Sequence, residues 1–217
     1  MKKLLIFDLD GTLADTLPTL TESMNSVLAE CSYPLVDDAH ICRAIGNGML
    51  MLCRRCVPAE FYDDEDVYMP FLAKYKEAYA RNYLDVDAPY EGLGEVIAEL
   101  KRRGYTLAAL SNKPHRYTVD IVEKLFGKGT FAEIRGMIEG IPIKPDPTSF
   151  LDIAGKLGFT AENTVMIGDG EPDIHVSQNA GASCISVSWG YRTRDQLTEA
   201  GASVIIDKTC ELLEILQ

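Results

Sequence analysis

What this chain has little of narrows its function first. No apolar run approaches the roughly 18 residues that a membrane span needs. Met1-Lys2-Lys3 leads into only four apolar residues before Asp8, far short of the hydrophobic region of a signal peptide, so a cytoplasmic location is expected. Basic residues are scarce: 21 Lys and Arg stand against 33 Asp and Glu, a formal net charge of -12. Such a chain has no general attraction for nucleic acid or anionic membranes, and it repels phosphate at long range. Any anion site must therefore be built locally, from a metal, a lysine and backbone N–H groups. Histidine is limited to His40, His115 and His175, which are scattered and form no ligand set. Cys53-Arg54-Arg55-Cys56 has no second cysteine pair or histidine pair to complete a zinc site, and it lies in a helical-looking segment. The cysteines are accordingly read as structural, reduced thiols.

What is present is a chain of 217 residues, 47% hydrophobic and 25% charged. That suffices for one large domain, or for a core with a smaller insertion. Lys3–Phe7 is a short apolar run that stops at an acidic loop, as a strand buried on both faces would. Similar runs recur at Thr106–Leu110, Thr164–Ile167, Cys184–Val187 and Val204–Ile206. Helical stripes lie between them: Leu93, Val96, Ile97 and Leu100; Tyr117, Ile121, Val122 and Leu125; Phe150, Leu151, Ala154 and Leu157. This alternation predicts an α/β fold, a doubly wound, Rossmann-like parallel sheet.

Residues 15–87 break the alternation directly after the first strand. They carry helical stripes (Leu17, Leu20, Met24, Val27 and Leu28; Val67, Phe71, Leu72, Tyr75 and Tyr79) and no convincing strand. The segment reads as an inserted helical cap domain. Residues 1–14 and 88–217 form the core, and Asp85–Gly92, with Pro89 and Gly92, is the return hinge.

Ligands of open α/β sheets bind beyond the carboxyl ends of the strands, so the residues that end each strand belong together. They are Asp8 and Asp10, then Ser111, Asn112 and Lys113, then Asp169 and Asp173, with Lys144-Pro145 in a loop between. Carboxylates crowded at one crevice repel each other; a divalent cation relieves this, and hard oxygen ligands select Mg²⁺. Lys144 and the metal could neutralise a phosphate dianion, so that a carboxylate nucleophile can approach it. Ser111 can donate to a phosphate oxygen, and Gly11 admits backbone N–H groups. Asp8 and Asp10, two residues apart, share a face of an extended chain, so that one can attack while the other handles protons.

The series Asp8-Leu9-Asp10-Gly11-Thr12-Leu13, Ser111-Asn112-Lys113, Lys144-Pro145 and Gly168-Asp169-Gly170-Glu171-Pro172-Asp173 resembles the signature of the haloacid dehalogenase superfamily, in order and in spacing. The resemblance implies Asp8 as nucleophile, Asp10 as acid/base, Ser111 as phosphate donor and Lys144 as charge stabiliser. It implies Mg²⁺ held by Asp8, the Asp10 backbone carbonyl and Asp169, with Asp173 assisting. One departure is Gly170, where the family usually has Ser or Thr. Within the superfamily, Ala44-Ile45-Gly46-Asn47-Gly48, Ala88-Pro89-Tyr90-Glu91-Gly92 and Trp189-Gly190-Tyr191-Arg192 resemble the phosphoglycolate phosphatase-like branch. Arg43, Asn47, Arg54 and Arg55 of the cap, with Thr12 and Asn112, are the expected substrate contacts; a cap arginine would suit a substrate carboxylate.

The expected function is thus Mg²⁺-dependent hydrolysis of a small phosphate ester, phosphoglycolate-like, through an aspartyl phosphate. The alternatives are a phosphosugar mutase, a pyrophosphatase, or a signalling module phosphorylated on Asp8. Thr12 favours a phosphatase, because mutases resembling this fold often carry Val there. The helical insertion argues against a receiver-type module, and Asp10 against a dehalogenase. Ser111-Asn112 could also be a turn before Pro114, and Lys113 reads as a solvated or substrate-rim lysine.

Overall fold

The computed structural model of the chain describes residues 3–216. The chain divides into two compact units, one formed by Met1–Asp15 with Asp87–Gln217 and the other by Thr16–Val86. Strand β1 (Leu4–Phe7) opens the first unit with every residue buried.

The second unit follows at once and is helical: α1 (Leu17–Glu30), α2 (Asp38–Ala44), α3 (Gly48–Cys56) and α4 (Glu65–Asn82). Pro18 lies in the first turn of α1, where a missing N–H breaks no helical bond. Leu20, Met24, Val27 and Leu28 on α1, and Phe71, Leu72, Tyr75 and Tyr79 on α4, are all buried, and the two helices pack on each other. The Tyr75 and Tyr79 rings stack with centroids 6.0 Å apart. Asp37 caps α2 by accepting from the His40 N–H at 2.8 Å. Cys53 and Cys56 are buried on α3. Burial pushes the Cys56 thiol up to about 12 and raises Cys53 as well, so both remain protonated packing groups.

The chain re-enters the first unit through α5 (Leu93–Arg102), β2 (Thr106–Pro114), α6 (His115–Phe126), β3 (Glu133–Met137) and α7 (Thr148–Lys156). It ends with β4 (Thr164–Gly168), α8 (Glu171–Ala180), β5 (Ser183–Val187), α9 (Arg194–Glu199), β6 (Ile205–Ile206) and α10 (Leu212–Ile215). The six strands form one sheet in the order β3-β2-β1-β4-β5-β6, and every neighbouring pair is parallel. This is the doubly wound arrangement; the order reverses between β1 and β4, which opens a crevice at their carboxyl ends. Among the described residues, no helix is long and apolar enough to cross a membrane.

Two local readings of the sequence are corrected. Strand β3 was not expected. It is an edge strand, Glu-Ile-Arg-Gly-Met, half-buried and carrying charge, so it lacks the apolar run that marks the inner strands. Leu151, read as part of the buried stripe of α7, is 42% exposed. The buried face is instead Phe150, Ile153 and Ala154, at i, i+3 and i+4, packed with Leu4, Ile6, Leu110 and Met166 of the sheet.

Phe150→Ala should therefore cost about 3–5 kcal/mol of stability, while Leu151→Ala next to it should change stability by no more than about 0.5 kcal/mol. Urea denaturation of the two variants checks the contrast. Equal losses would mean that α7 packs through a different face.

Candidate active site

The residues that end β1, β2 and β4 meet at the switch point. Asp8 follows β1 directly, and its N–H donates to the Ile167 carbonyl at 2.9 Å, which extends the ladder with β4 by one step. Its Oδ1 lies 2.9 Å from the Lys144 Nζ. The same Nζ lies 2.6 Å from Oδ1 of Asp173, and the Lys144 side chain is only 2% exposed. Lys144 comes from the loop between β3 and α7, and a neighbouring amide holds that loop. The Asn112 Nδ2 donates to the Lys144 carbonyl at 2.8 Å, and the Lys144 N–H donates back to the Asn112 Oδ1 at 2.9 Å.

Asp169 follows β4, and both of its oxygens are engaged. The Thr12 hydroxyl donates to Oδ1 at 2.9 Å and the Tyr191 N–H donates to Oδ2 at 2.8 Å. Asp173 lies in the first turn of α8 and accepts from the Gly170 N–H at 3.2 Å. On the other side of the crevice, Lys113 Nζ lies 2.7 Å from Oδ1 of Asp10. Ser111, buried at the end of β2, accepts from the Lys113 N–H at 3.1 Å.

Glycines let these groups crowd together. A Cβ on Gly11 would lie 2.3 Å from Asp169 Oδ2, and one on Gly168 would lie 2.2 Å from Asp173 Cγ. One on Gly190 would lie 2.3 Å from the Gly11 carbonyl oxygen and 2.4 Å from Asp169 Cβ. Gly11 also has a φ of 82°, which disfavours any side chain. Gly170 is different. Its backbone is extended (φ -143°, ψ 171°), and an added Cβ would meet only Pro172 Cδ at 3.3 Å and Asp173 Oδ2 at 3.8 Å.

The electrostatics follow from burial and crowding. Burial, and after it the neighbouring Asp173, raise Asp8 well above the usual carboxylate range against the opposing pull of Lys144. Burial and Asp173 also push Asp169 up to about 7. Burial disfavours the Lys144 ammonium, but the attraction of Asp173 and Asp8 outweighs it and holds the group above its ordinary value. Asp8, Asp169 and Asp173 each offer a carboxylate oxygen within 4.8 Å of the others. Four carboxylates, counting Asp10, face the two ammonium groups of Lys113 and Lys144. With all four ionised the excess is two negative charges, and the donors are hard oxygens, so the residues present fit a divalent cation such as Mg²⁺.

The geometry redistributes several expected contacts. Asp8, Asp10, Ser111, Lys144, Asp169 and Asp173 come together. Thr12 is fully buried with its hydroxyl on Asp169, and both ends of the Asn112 amide are engaged by the Lys144 backbone. Lys113, read from sequence as solvated or at the rim, is a buried ion-pair partner; no periodic signal distinguishes it from an exposed lysine before a proline. In the helical unit, Arg54 donates from Nε to the Tyr62 carbonyl at 2.9 Å, pairs with Asp63, and lies over the Tyr62 and Tyr68 rings at 4.5 and 5.0 Å. Arg55 donates to the Ala44 carbonyl at 2.8 Å. Arg43 is exposed in the last turn of α2, and Asn47 is the half-buried residue that precedes α3.

Gly190→Ala should cost about 1–3 kcal/mol, because its new methyl group meets backbone and the Asp169 stem. Gly170→Ser should shift stability by no more than a few tenths of a kcal/mol. Thermal unfolding of both variants checks this; a well-tolerated Gly190→Ala would contradict the packing described.

Residues 5–187 match the family model of haloacid dehalogenase-like hydrolases. The chain is 30% identical over 220 residues to a phosphoglycolate phosphatase of Haemophilus influenzae (strain 86-028NP), covering 99% of this chain and 98% of the relative. It is 30% identical over 216 residues to phosphoglycolate phosphatase 1 of Pseudomonas aeruginosa, covering 98% of this chain and 79% of that one. The crystal structure of a predicted phosphoglycolate phosphatase from Haemophilus somnus 129pt is similar with a TM-score of 0.91 and 29% identity, over 100% of this chain and 98% of that one. With acids and a buried lysine at the switch point of its sheet, the chain belongs to the haloacid dehalogenase-like hydrolases and is a phosphatase.

Proposed function

We propose that this phosphatase hydrolyses a small phosphomonoester, with a phosphoglycolate-like substrate favoured, through a phosphorylated Asp8. The observation that carries the reading is the Lys144 ammonium shared between Asp8 and Asp173 beside Asp10 and Asp169. The core, residues 1–14 and 88–217, carries the chemistry, and the helical insertion, residues 15–87, acts as its cap. The reaction takes place in the cytoplasm, where the thiols stay reduced.

In the first step an Asp8 oxygen attacks phosphorus. The P–O bond to Asp8 forms as the ester P–O bond breaks, and Asp10 gives its proton to the departing alkoxide. In the second step water attacks phosphorus while Asp10 takes its proton. The bond to Asp8 breaks, and inorganic phosphate leaves with both carboxyls restored. Lys144 holds Asp8 in place and balances its charge. Ser111 accepts from the Lys113 N–H, which leaves its own hydroxyl proton for a phosphate oxygen. Asp8, the Asp10 carbonyl, Asp169 and Asp173 would hold Mg²⁺, which when bound neutralises charge on the phosphoryl oxygens. Thr12 orients Asp169, and Asn112 orients the Lys144 loop; both serve the substrate through those groups. Arg43 and Asn47 are the cap side chains proposed for the substrate's carboxylate end. Arg54, proposed with them, also pairs with Asp63 and donates to the Tyr62 carbonyl. The named activity of the similar Haemophilus and Pseudomonas proteins supports the choice of substrate.

Asp8→Asn should lower phosphate release roughly 10⁴-fold or more. A Mg²⁺-dependent release assay over a panel of phosphomonoesters, ranked by kcat/KM, measures it. Full activity in Asp8→Asn would sink the nucleophile assignment, and sugar phosphate isomerisation without phosphate release would favour a mutase.

Metal binding should also appear in stability. Asp169 is raised to about 7 from 3.8, so without metal the folded state holds a proton that the unfolded state has lost. That contribution is complete below the unfolded value, and it is lost as pH rises through the folded one. The metal-free protein should therefore weaken between about pH 4 and 7, and a fixed Mg²⁺ concentration of 100 times the Kd at pH 7.5 should add about 2.7 kcal/mol at that pH, roughly 5–10 °C in Tm. Calorimetry with and without Mg²⁺ at pH 5 and pH 7.5 checks the sign: the Mg²⁺ effect should be larger at the higher pH.

A further inference from the structure

Lys113 is the one buried cation of the crevice that the mechanism above leaves without a task. Its side chain is 3% exposed, against the mostly exposed heads of surface lysines. Its ammonium lies 2.7 Å from Oδ1 of Asp10. The two lysines therefore divide the acids between them: Lys144 takes Asp8 and Asp173, and Lys113 takes Asp10.

The backbone is shaped to deliver Lys113 there. The register between β2 and β3 shifts between Leu110 and Pro114, an irregularity of the kind that re-aims side chains beside active sites. Both backbone groups of Lys113 are tied: its N–H donates to Ser111 Oγ at 3.1 Å, and its carbonyl accepts from Thr118 Oγ1 at 3.1 Å. The neighbouring edge strand makes room through Gly136. A Cβ there would lie 2.5 Å from the Lys113 carbonyl oxygen and 2.6 Å from His115 Cα. This explains a glycine in the middle of β3, where a strand former would otherwise be expected.

We propose that Lys113 is a positioning residue for proton transfer: by holding one oxygen of Asp10, it fixes the direction in which the other meets the leaving oxygen. The proposal rests on the acid/base role of Asp10. An Asp side chain that can turn freely reaches its proton acceptor only part of the time, and general acid catalysis needs hydrogen-bond reach. In the step concerned, the proton leaves the Asp10 carboxyl for the alkoxide as the ester P–O bond breaks. Lys113 supplies no proton and touches no reacting atom.

The test uses leaving groups. Phosphoglycolate expels an alkoxide that needs a proton; p-nitrophenyl phosphate expels a phenolate that does not. kcat/KM, which covers binding through transfer to Asp8, is measured for Lys113→Ala, Lys113→Arg, Asp10→Asn and the double variant Asp10→Asn/Lys113→Ala. Lys113→Ala should lose about 100-fold on phosphoglycolate and less than about 5-fold on p-nitrophenyl phosphate. Lys113→Arg should recover much of the loss, because it keeps the charge and the hydrogen bond. The double variant should be no slower than Asp10→Asn alone, since the lysine acts only through that carboxyl. Thermal unfolding of each variant identifies any that is misfolded, and Lys113→Arg carries the comparison if Lys113→Ala does not fold. Equal losses on both esters, or additive losses in the double variant, overturn the proposal if Asp10→Asn keeps its leaving-group dependence. If Asp10→Asn shows no such dependence, the acid/base reading falls and this proposal falls with it.

Discussion

The site depends on one buried ammonium. Lys144 lies between Asp8 and Asp173 at 2.9 and 2.6 Å, almost without contact with solvent. A charge removed from water is tolerated only when it is paired and hydrogen-bonded, and removal of one partner leaves the other exposed to the full penalty. The arrangement therefore binds a loop, the end of β1 and the first turn of α8 into a single unit. Asn112 holds that loop from β2, and the Asn179 amide reaches the Pro145 carbonyl at 2.9 Å from α8. The lysine's position is supported from both sides of the crevice.

From that pairing follows an acidic cluster whose donors fit a divalent cation. Lys144 cannot neutralise Asp8, Asp169 and Asp173 together, and burial, with the neighbouring Asp173 after it, raises Asp8 and Asp169. The strain is electrostatic and is resolved by a divalent ion or by protons. Gly11, Gly168 and Gly190 sustain the crowding, since a methyl group at any of them would overlap the carboxylates or their backbone. Gly170 does not belong to that set. The hydroxyl that the family usually carries there is absent, but Thr12 and the Tyr191 N–H hold Asp169, and the Gly170 N–H itself holds Asp173. The departure removes one donor from a shell that retains several.

Much of this was legible in the chain. Inner strands of a parallel sheet are apolar on both faces, so β1, β2, β4 and β5 stood out as short hydrophobic runs, and the acidic or hydroxyl ends of β1, β2 and β4 marked the crevice. The helical insertion was visible as a stretch with no such run. Strand β3 was not visible, because an edge strand has one neighbour and its Glu133 and Arg135 can stay partly solvated. Leu151 was misplaced because an apolar residue beside a stripe has the same composition whether it faces the sheet or the solvent.

The sequence by itself determined which residue types the chemistry draws on and in which order they arrive, because strand ends in this topology converge wherever the chain wanders between them. Only the tertiary structure decided what each polar side chain does there. The Thr12 hydroxyl donates to Asp169, the Asn112 amide pairs with the Lys144 backbone, Lys113 reaches inward to Asp10, and Arg54 pairs with Asp63 within its own unit. The physical reason is that a hydrogen bond or ion pair is chosen by distance. Asp10 and Lys113 are 103 positions apart in the chain and 2.7 Å apart in the fold, and no local pattern encodes that approach.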